Sequence, residues 1–477
     1  MPKPIRVNGF AIHSPVHLSP GLWRHPRDRS LSVNTLAYWT DLARLLERGL
    51  FETLFIADGL GIHDVYGGSA EAALRRAAQV PKHDPMLLVS AMAAATEHLG
   101  FGVTASVSYE PPFTLARRFS TLDHLTEGRI AWNVVTGYSD AAARAVGQPG
   151  IAAHDTRYDI ADEFLDVVYR LWEESWEDGA VLRDRARGLF ADPARIHRIE
   201  HAGEHFRMQG IHLVEPSPQR TPFLFQAGAS DRGRDFAAAH AEAVFLSDAS
   251  RTAIAATVAD TRARAAARGR DPSDILFFAL VTVIVGRTEA EAHDKHRDYL
   301  AYVDPEGALA LFSGWTGIDL SAYALDDPFP VLRRDNAIAS VAESFGRAER
   351  RRSIREIVQE GAIGGRGPVL IGSPQQVADG LEAWMDETGI DGFNLSFAVT
   401  PEGYGEFIDL VVPELQRRGR YKTAYAPGSL RQKVFGEARR LLPPSHPAAR
   451  FRRAAPPPAA ARGSAPLPAE APLSYPA

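Results

Sequence analysis

Eight short apolar runs, spread from residue 6 to residue 397, constrain the fold of this chain more than any other feature. Most of them are almost continuously apolar, whereas a half-exposed strand would alternate apolar and polar residues. Strands covered on both faces have this pattern, and they are typical of parallel sheets. The predicted strands are Arg6–Ile12, Thr53–Ala57, Gly100–Ser106, Arg129–Val135, Pro222–Gln226, Ala243–Leu246, Ile275–Val285 and Gly392–Phe397.

The segments between these runs carry the 3.6-residue apolar period of helices that bury one face. The clearest of them begins at Ser373, a predicted N-cap, has Gln376 as its capping-box partner and ends at Gly389. Alternating strands and helices predict an α/β fold with a parallel sheet. Eight repeats predict that this sheet closes into a (β/α)8 TIM barrel.

Three connecting segments and the C-terminal tail depart from this repeat. Segments 147–220 and 286–369 are too long for simple connections, and we interpret them as insertions after strands four and seven that lie over the catalytic face. The glycine-containing stretch 59–85 is interpreted as a mobile lid. The barrel is expected to occupy residues 1–442. The Pro/Ala-rich tail, 443–477, lacks the apolar content to pack and is expected to be disordered.

The composition excludes several kinds of chemistry. The chain of 477 residues has no cysteine, so disulfides, iron–sulfur clusters, thiolate metal sites and cysteine nucleophiles are excluded. A formal net charge of −6 gives no reason to expect a nucleic acid or an anionic membrane as partner. No apolar stretch is long enough to cross a bilayer and Met1–Phe10 lacks the features of a signal peptide, so we expect a cytoplasmic protein.

Other catalytic motifs are weak or missing from the sequence. His197, His201 and His205 have a spacing that could imitate a metal site, but Gly203 interrupts the helix that would align them, and we expect no metal. There is no Gly-x-Ser-x-Gly elbow. The glycine-rich stretch 361–367 fits neither a phosphate-binding loop nor a dinucleotide fingerprint. A redox enzyme with this sequence would therefore obtain its electrons from elsewhere.

Small hydrogen-bonding residues follow several predicted strands, where a barrel presents its ligand. Asp58 follows the second strand, Thr104 lies near the end of the third, and Asn133 lies in the fourth. The same residue types are common in caps and turns, so a structural role and a binding role are both open for them.

The segment after the fifth strand is the most suggestive of these. Gly228 and Ser230 precede a predicted helix, 231–241, whose first N–H groups and positive dipole end suit a phosphate. A second candidate is the pair His154 and Tyr158, which would share one face of a helix and can both donate to a phosphate or a ring carbonyl. Structural packing is the alternative interpretation of this pair.

Five motifs occur in a fixed order along the chain. They are FETLFIADGL from Phe51, ARRFSTLDHLTEGRIAWNVVTG from Ala116, HDTRYDIADEF from His154, QAGASDRG from Gln226 and GSPQQVADGL from Gly372. In this order they resemble the nitrilotriacetate, pristinamycin and dibenzothiophene-sulfone monooxygenases of the bacterial luciferase-like superfamily, a group that includes the long-chain alkane monooxygenases. The resemblance covers most of the chain and leaves only the Pro/Ala tail outside.

The resemblance implies a luciferase-like barrel that binds FMN non-covalently and receives it reduced from a separate NAD(P)H:FMN reductase. It also implies a homo-oligomer. Two residues would lie near the isoalloxazine ring, Asp58 and Thr104, with Asn133 as a further candidate. Three residues would lie on the ribityl-phosphate side of the flavin, and these are His154, Tyr158 and Ser230.

By the same resemblance, the chain is expected to be the oxygenase component of a two-component flavin-dependent monooxygenase. Reduced FMN and O2 would form a C4a-(hydro)peroxyflavin that oxidises a small organic substrate. No catalytic side chain is assigned, although His13, His63 and Glu97 are ionisable groups that could face the cavity or be structural. Two departures from the family pattern, Gly137 for serine and 145–147 (Ala-Val-Gly) for Asn-Phe-Gly, leave the substrate open.

Three other functions are compatible with a barrel of this kind. A deazaflavin-dependent oxidoreductase would transfer hydride and would need neither O2 nor a reductase. A flavin-binding protein without catalysis would bind oxidised FMN tightly, whereas a preference for reduced FMN would favour the monooxygenase. A sugar- or phosphate-binding barrel would bind no flavin.

Overall fold

The structure is a computed structural model that describes residues 3–330, 332, 334–338, 341 and 352–453. Its strands, numbered in chain order, are β1 Arg6–Ile12, β2 Thr53–Ala57, β3 Gly100–Ser106, β4 Ile130–Val135, β5 Val181–Asp184, β6 Leu189–Ala191, β7 Ile199–Ala202, β8 Arg207–Gly210, β9 Phe223–Gln226, β10 Ala243–Leu246, β11 Leu276–Val285, β12 Val369–Gly372 and β13 Gly392–Ser396.

The α-helices of the described residues lie mostly between these strands. They are α1 Leu36–Arg48, α2 Glu71–Arg76, α3 Val89–Ala94, α4 Pro112–Leu125, α5 Asp140–Ala145, α6 His154–Tyr169, α7 Asp231–His240, α8 Arg251–Ala267, α9 Glu289–Leu300, α10 Pro305–Thr316, α11 Ile354–Glu360, α12 Pro374–Thr388, α13 Glu402–Glu406, α14 Val412–Arg417 and α15 Leu430–Phe435. The capping box predicted at Ser373 and Gln376 is present at the start of α12.

Eight parallel strands close into a barrel in the order β1, β2, β3, β4, β9, β10, β11, β13. The ring closes where β13 pairs with both β11 and β1. These are the eight predicted strands, and none of their ends differs from the prediction by more than one residue. The predicted (β/α)8 TIM barrel is therefore confirmed.

Strand β12 lies outside the ring and was not predicted. It pairs in parallel with the second half of β11, from Thr282 to Val285, whereas β13 pairs with the first half. Because β11 is ten residues long, it extends beyond the barrel wall and offers a free edge there to β12.

Aromatic rings fill the interior of the barrel. Phe55 stacks on Phe10 and lies 4.5 Å from Phe245, which in turn lies 4.6 Å from Phe225 (ring centroids). Gly102 makes room for this cluster, because a Cβ there would lie 2.7 Å from the Phe225 ring. The packed rings close the barrel from below, so any ligand must bind above them, at the carboxyl ends of the strands.

The first insertion, 147–220, differs from the expectation. Only the first turn of α6 reaches the mouth of the barrel, whereas the hairpins β5–β6 and β7–β8 lie on its outside. The Glu163 carboxylate holds the second hairpin there, since it accepts hydrogen bonds from the His201 ring and from two backbone N–H groups, those of His205 and Phe206. The expectation that this whole insertion covers the catalytic face was therefore wrong.

The described part of the second insertion, 286–369, covers the face of the barrel at the carboxyl ends of the strands. Helix α10 is buried from Gly307 to Thr316, and Gly314 and Trp315 line the space above the barrel. The predicted lid, 59–85, packs against this helix, and Arg76 of the lid pairs with Glu306 at 2.6 Å. Mobility of the lid stays a prediction.

The C-terminal segment is packed further than expected. Residues 443–453, the beginning of the tail expected to be disordered, lie against the barrel. The His446 ring is buried, and its Nε2 donates to the carbonyl oxygen of His240 at 2.9 Å. Arg452 pairs with Glu173, which is buried. These contacts were missed because they are made by polar side chains rather than by an apolar run. Residues 454–477 lie outside the described residues.

Candidate functional site

A cavity of about 820 Å³ opens at the carboxyl ends of the barrel strands. Its walls are the strand ends, the lid, the first turn of α6, the loop before α7, and α10. All five residues predicted from the sequence line it, namely Asp58, Thr104, His154, Tyr158 and Ser230. The volume lies within the range of small-molecule and cofactor sites.

One side of the cavity is formed by His154, Tyr158 and Ser230. Ser230 is the N-cap of α7, and its Oγ accepts a hydrogen bond from the Gly233 N–H at 3.1 Å. The same Oγ lies 3.3 Å from Nε2 of His154, and the centroids of the His154 and Tyr158 rings are 5.3 Å apart. The structure thus brings these three predicted residues together at the adjoining N-termini of two helices.

Tyr158 is buried between the two helices, with its hydroxyl close to the loop before α7. Burial raises the pKa of the phenol, and Ser230 and Arg157 offset part of that rise. A Cβ at Gly228 would lie 2.7 Å from the Tyr158 hydroxyl, and one at Gly233 would lie 2.9 Å from it. The two glycines therefore allow the loop to approach a hydroxyl that stays protonated at neutral pH.

The arginines near this loop are already occupied. Arg232 pairs with Asp162 at 2.5 Å, and Arg234 pairs with Asp260 at 2.5 Å. These ion pairs tie α7 to its neighbours, so polar contacts to a ligand here come from hydroxyls, the His154 ring and backbone N–H groups.

A second polar group is built by two neighbouring strands. Nδ2 of Asn133 on β4 donates to Oγ1 of Thr104 on β3 at 2.9 Å, and both side chains are buried. Oδ1 of Asn133 is buried and has no hydrogen-bond partner among the described residues. Because an unpaired buried acceptor is costly, this oxygen is a place where a ligand donor would be stabilised.

Asp58 follows β2 on another part of the cavity wall. Burial raises the pKa of its carboxyl, and the positive charge of Lys82 offsets part of that rise. Asp58 and Thr104 do not contact the cluster of His154, Tyr158 and Ser230, so the predicted residues occupy separate parts of one cavity.

The three ionisable candidates have different positions. His63 lines the cavity beside Gln79, and burial lowers its pKa to about 4, so the ring is neutral at physiological pH. His13 is buried below the lid with Nε2 at the Val33 carbonyl and does not line the cavity. Glu97 is exposed, and its backbone N–H donates to Glu47.

Several lining residues were missed by the sequence interpretation. They are Lys82 and Gln79 of the lid, Arg157 of α6, Trp315 of α10, and His17 in the loop after β1. The interpretation of segment 59–85 as a lid was the one sequence signal that could have indicated Lys82 and Gln79. The others depend on chain contacts that a local pattern does not contain.

The family model of luciferase-like monooxygenases matches residues 18–392. Among curated relatives, the dimethyl-sulfide monooxygenase of Hyphomicrobium sulfonivorans is 50% identical over 95% of both chains. The long-chain alkane monooxygenase of Geobacillus thermodenitrificans (strain NG80-2) is 47% identical over 95% of this chain and 99% of that protein.

Solved structures agree with these relatives. A riboflavin lyase, crystallised with modified FMN and riboflavin, is 36% identical and superimposes with a TM-score of 0.89 over 95% of this chain and all of that one. The family match covers most of the chain, and the identities to the two curated relatives extend over nearly all of it. The chain belongs to the luciferase-like monooxygenase family.

Proposed function

We propose that this chain is the oxygenase component of a two-component monooxygenase, which uses reduced FMN and O2 to oxidise a small organic substrate. The observation that carries the proposal is the cavity above the barrel, where hydroxyls and a helix N-terminus lie at one side and a buried unpaired acceptor lies deeper. Two relatives are named as monooxygenases of dimethyl sulfide and of long-chain alkanes. These names support the proposal that the substrate is a small organic molecule.

The chemistry of the cluster fits the phosphate of FMN. Ser230 and Tyr158 supply hydroxyls, His154 supplies a ring nitrogen, and α7 begins with N–H groups whose dipole favours an anion. Gly228 has no side chain that would fill this space. We therefore assign these three side chains to the phosphate side of the flavin.

The polar group on β3 and β4 fits the flavin ring. The unpaired Oδ1 of Asn133 is a hydrogen-bond acceptor, and Thr104 holds this amide in place through Nδ2. Asp58 is a further polar group at the cavity surface. When bound, reduced FMN would supply the electrons that activate O2, and the protein would supply binding, orientation and a dry environment.

The lid and α10 would exclude water from the cavity during the reaction. His63 of the lid packs against Gly314, where a Cβ would lie 2.0 Å from the histidine Nδ1. Trp315 of the same helix adds an apolar surface to the cavity. This contact joins the lid to α10 at the cavity wall, and it is consistent with a reaction that must be shielded from solvent.

The remaining parts of the proposal concern partners and location. The sequence contains no dinucleotide fingerprint, and we propose that a separate NAD(P)H:FMN reductase delivers reduced FMN by diffusion or transfer. We further propose a cytoplasmic homo-oligomer. Within the described part of the chain, no helix is long and apolar enough to cross a membrane.

An anaerobic titration tests this function. The purified protein is titrated with photoreduced FMN, oxidised FMN and a reduced deazaflavin, and binding is followed by fluorescence or calorimetry. We expect reduced FMN to bind at least about tenfold more tightly than the other two. Tighter binding of oxidised FMN would favour a non-catalytic flavoprotein, and tighter binding of the deazaflavin would favour a hydride-transferring enzyme.

A further inference from the structure

The cavity has a second charged region, at some distance from the phosphate cluster. Ser230 follows the fifth strand of the ring, whereas the lid follows the second strand. The two strands are three positions apart in a ring of eight. Lys82 lies on the lid and lines the cavity. A role of this lysine towards the substrate rests on the proposed function.

The ammonium group of Lys82 is only partly satisfied. Nζ donates to the carbonyl oxygen of Gly59 at 2.8 Å, and among the described residues no carboxylate oxygen lies within 4 Å of it. An ammonium group has three N–H donors, so two remain for other partners. Asp58 is the acid that interacts with it, at longer range.

Other cations of the cavity wall have partners of their own. Arg144 pairs with Asp64 at 2.6 Å, and Arg118 pairs with Glu110. Arg157 donates to two backbone carbonyl oxygens. Lys82 differs from Arg144 and Arg118 because no carboxylate contacts its charge. It differs from Arg157 because it donates to one carbonyl oxygen rather than two.

Uncharged side chains also lie in the part of the cavity that Lys82 lines, beside the carboxylates Asp58 and Asp84. His63, whose pKa is lowered by burial and by the charge of Lys82, is uncharged and lies beside Gln79. The apolar side chains of Leu18 and Trp315 also line the cavity. A half-buried ammonium in such an environment is costly, and an anion that contacts it would offset this cost.

We propose that Lys82 is a specificity-determining residue, which binds a carboxylate of the substrate at the lid side of the cavity. The flavin phosphate would be held by the cluster around Ser230, so it does not need this cation. The substrate class is therefore a small organic molecule with an apolar part to be oxidised and one anionic carboxylate.

The test compares two probes of the same size. The probes are (methylthio)acetate, which carries the carboxylate, and (methylthio)acetamide, which is uncharged. Calorimetric titrations are run anaerobically, with and without reduced FMN. We expect the wild-type protein to bind the carboxylate at least about tenfold more tightly than the amide, because a charge partner at a partly desolvated site gives this order of discrimination.

Variants then assign the preference to Lys82. Lys82→Met keeps an unbranched side chain without charge and should reduce the preference to less than about twofold, whereas Lys82→Arg should retain most of it. The matched control is Lys433→Met, because Lys433 also donates to a backbone carbonyl, that of His98 at 2.8 Å, but outside the cavity. This variant should bind both probes as the wild type does.

Each contrary result has a distinct meaning. Equal binding of the two probes by the wild type, no binding of the carboxylate, or a preference that survives Lys82→Met would overturn the proposal. If Lys82→Met instead loses reduced FMN while the wild type shows no carboxylate preference, the lysine serves the flavin. If wild-type protein fails to bind reduced FMN, the proposed function fails, and the titrations without flavin still decide the role of Lys82.

Discussion

Nε2 of His154 lies 3.3 Å from Oγ of Ser230, although the two residues are 76 positions apart in the chain. The contact joins the first residue of α6 to the N-cap of α7. Two helix N-termini and their side chains thus face one end of the cavity. This arrangement provides the anion site on which the proposed flavin binding depends.

Replacement of Ser230 tests this site. Ser230→Ala removes a hydroxyl at the proposed phosphate and also the N-cap of α7. We expect the affinity for reduced FMN to fall about tenfold or more, because hydrogen bonds to charged groups contribute roughly 1.5–3 kcal/mol. The loss of the cap should lower the free energy of unfolding by about 1 kcal/mol.

Ser373→Ala is the matched control for this variant. Ser373 caps α12 by the same contact, accepting from the Gln376 N–H at 3.3 Å, but it does not line the cavity. It should lose a similar amount of stability, measured by urea unfolding, and keep its flavin affinity. Equal flavin affinity in Ser230→Ala and wild type would contradict the phosphate assignment.

Gly228 provides a steric test of the same loop. In Gly228→Ala the new Cβ would lie 2.3 Å from Nε2 of Gln226 and 2.7 Å from the Tyr158 hydroxyl, so one of these groups must move. We expect at least about a tenfold loss of flavin affinity, since the moved groups line the proposed phosphate site. Gly405→Ala, where nothing lies within 4 Å, should leave the affinity unchanged. Unchanged affinity in Gly228→Ala would place the phosphate elsewhere.

Buried histidines predict a loss of stability in acid. Burial lowers the pKa of His212 to about 4, whereas an unfolded histidine titrates near pH 6.5. The unfolded state therefore takes up a proton that the folded state does not, and stability falls as pH decreases from about 6.5 to 4. Over this range, each such histidine lowers the free energy of unfolding by up to about 1.4 kcal/mol for each unit by which the pH decreases.

The measurement is urea unfolding at several pH values, for wild type and His212→Gln. The glutamine can still bond with Ser120, the present partner of the ring at 2.9 Å, but it does not titrate. The variant should show a shallower decline of stability with decreasing pH. An identical slope in both proteins would show that His212 is not protonated on unfolding.

The barrel could be predicted from the sequence because each of its strands is an apolar run with its own signal. β11, with all ten residues buried, is the clearest case. Strand β12 has only four residues, most of them half-buried, and it exists because β11 offers it an edge. The placement of the first insertion was wrong because it depends on Glu163, a single polar residue whose partners lie about forty positions away.

The site could be predicted only in part, and for similar reasons. Ser230 and Asp58 were predicted because they follow strands of the barrel, and barrel topology brings strand ends together. Lys82 and Trp315 lie on segments whose path over the barrel is decided by tertiary contacts. The partners of Arg232, two aspartates of α6, likewise follow from helix packing and could not be inferred locally.

The most direct test of the central claim follows the fate of reduced FMN on the protein. The anaerobic complex is mixed with oxygenated buffer in a stopped-flow instrument without NAD(P)H, with and without the thioether probes, and the return of oxidised FMN absorbance is recorded. The account predicts that oxidised FMN returns at least about tenfold more slowly than in free solution, because the cavity excludes water. Return at the rate of free flavin under all conditions would contradict it.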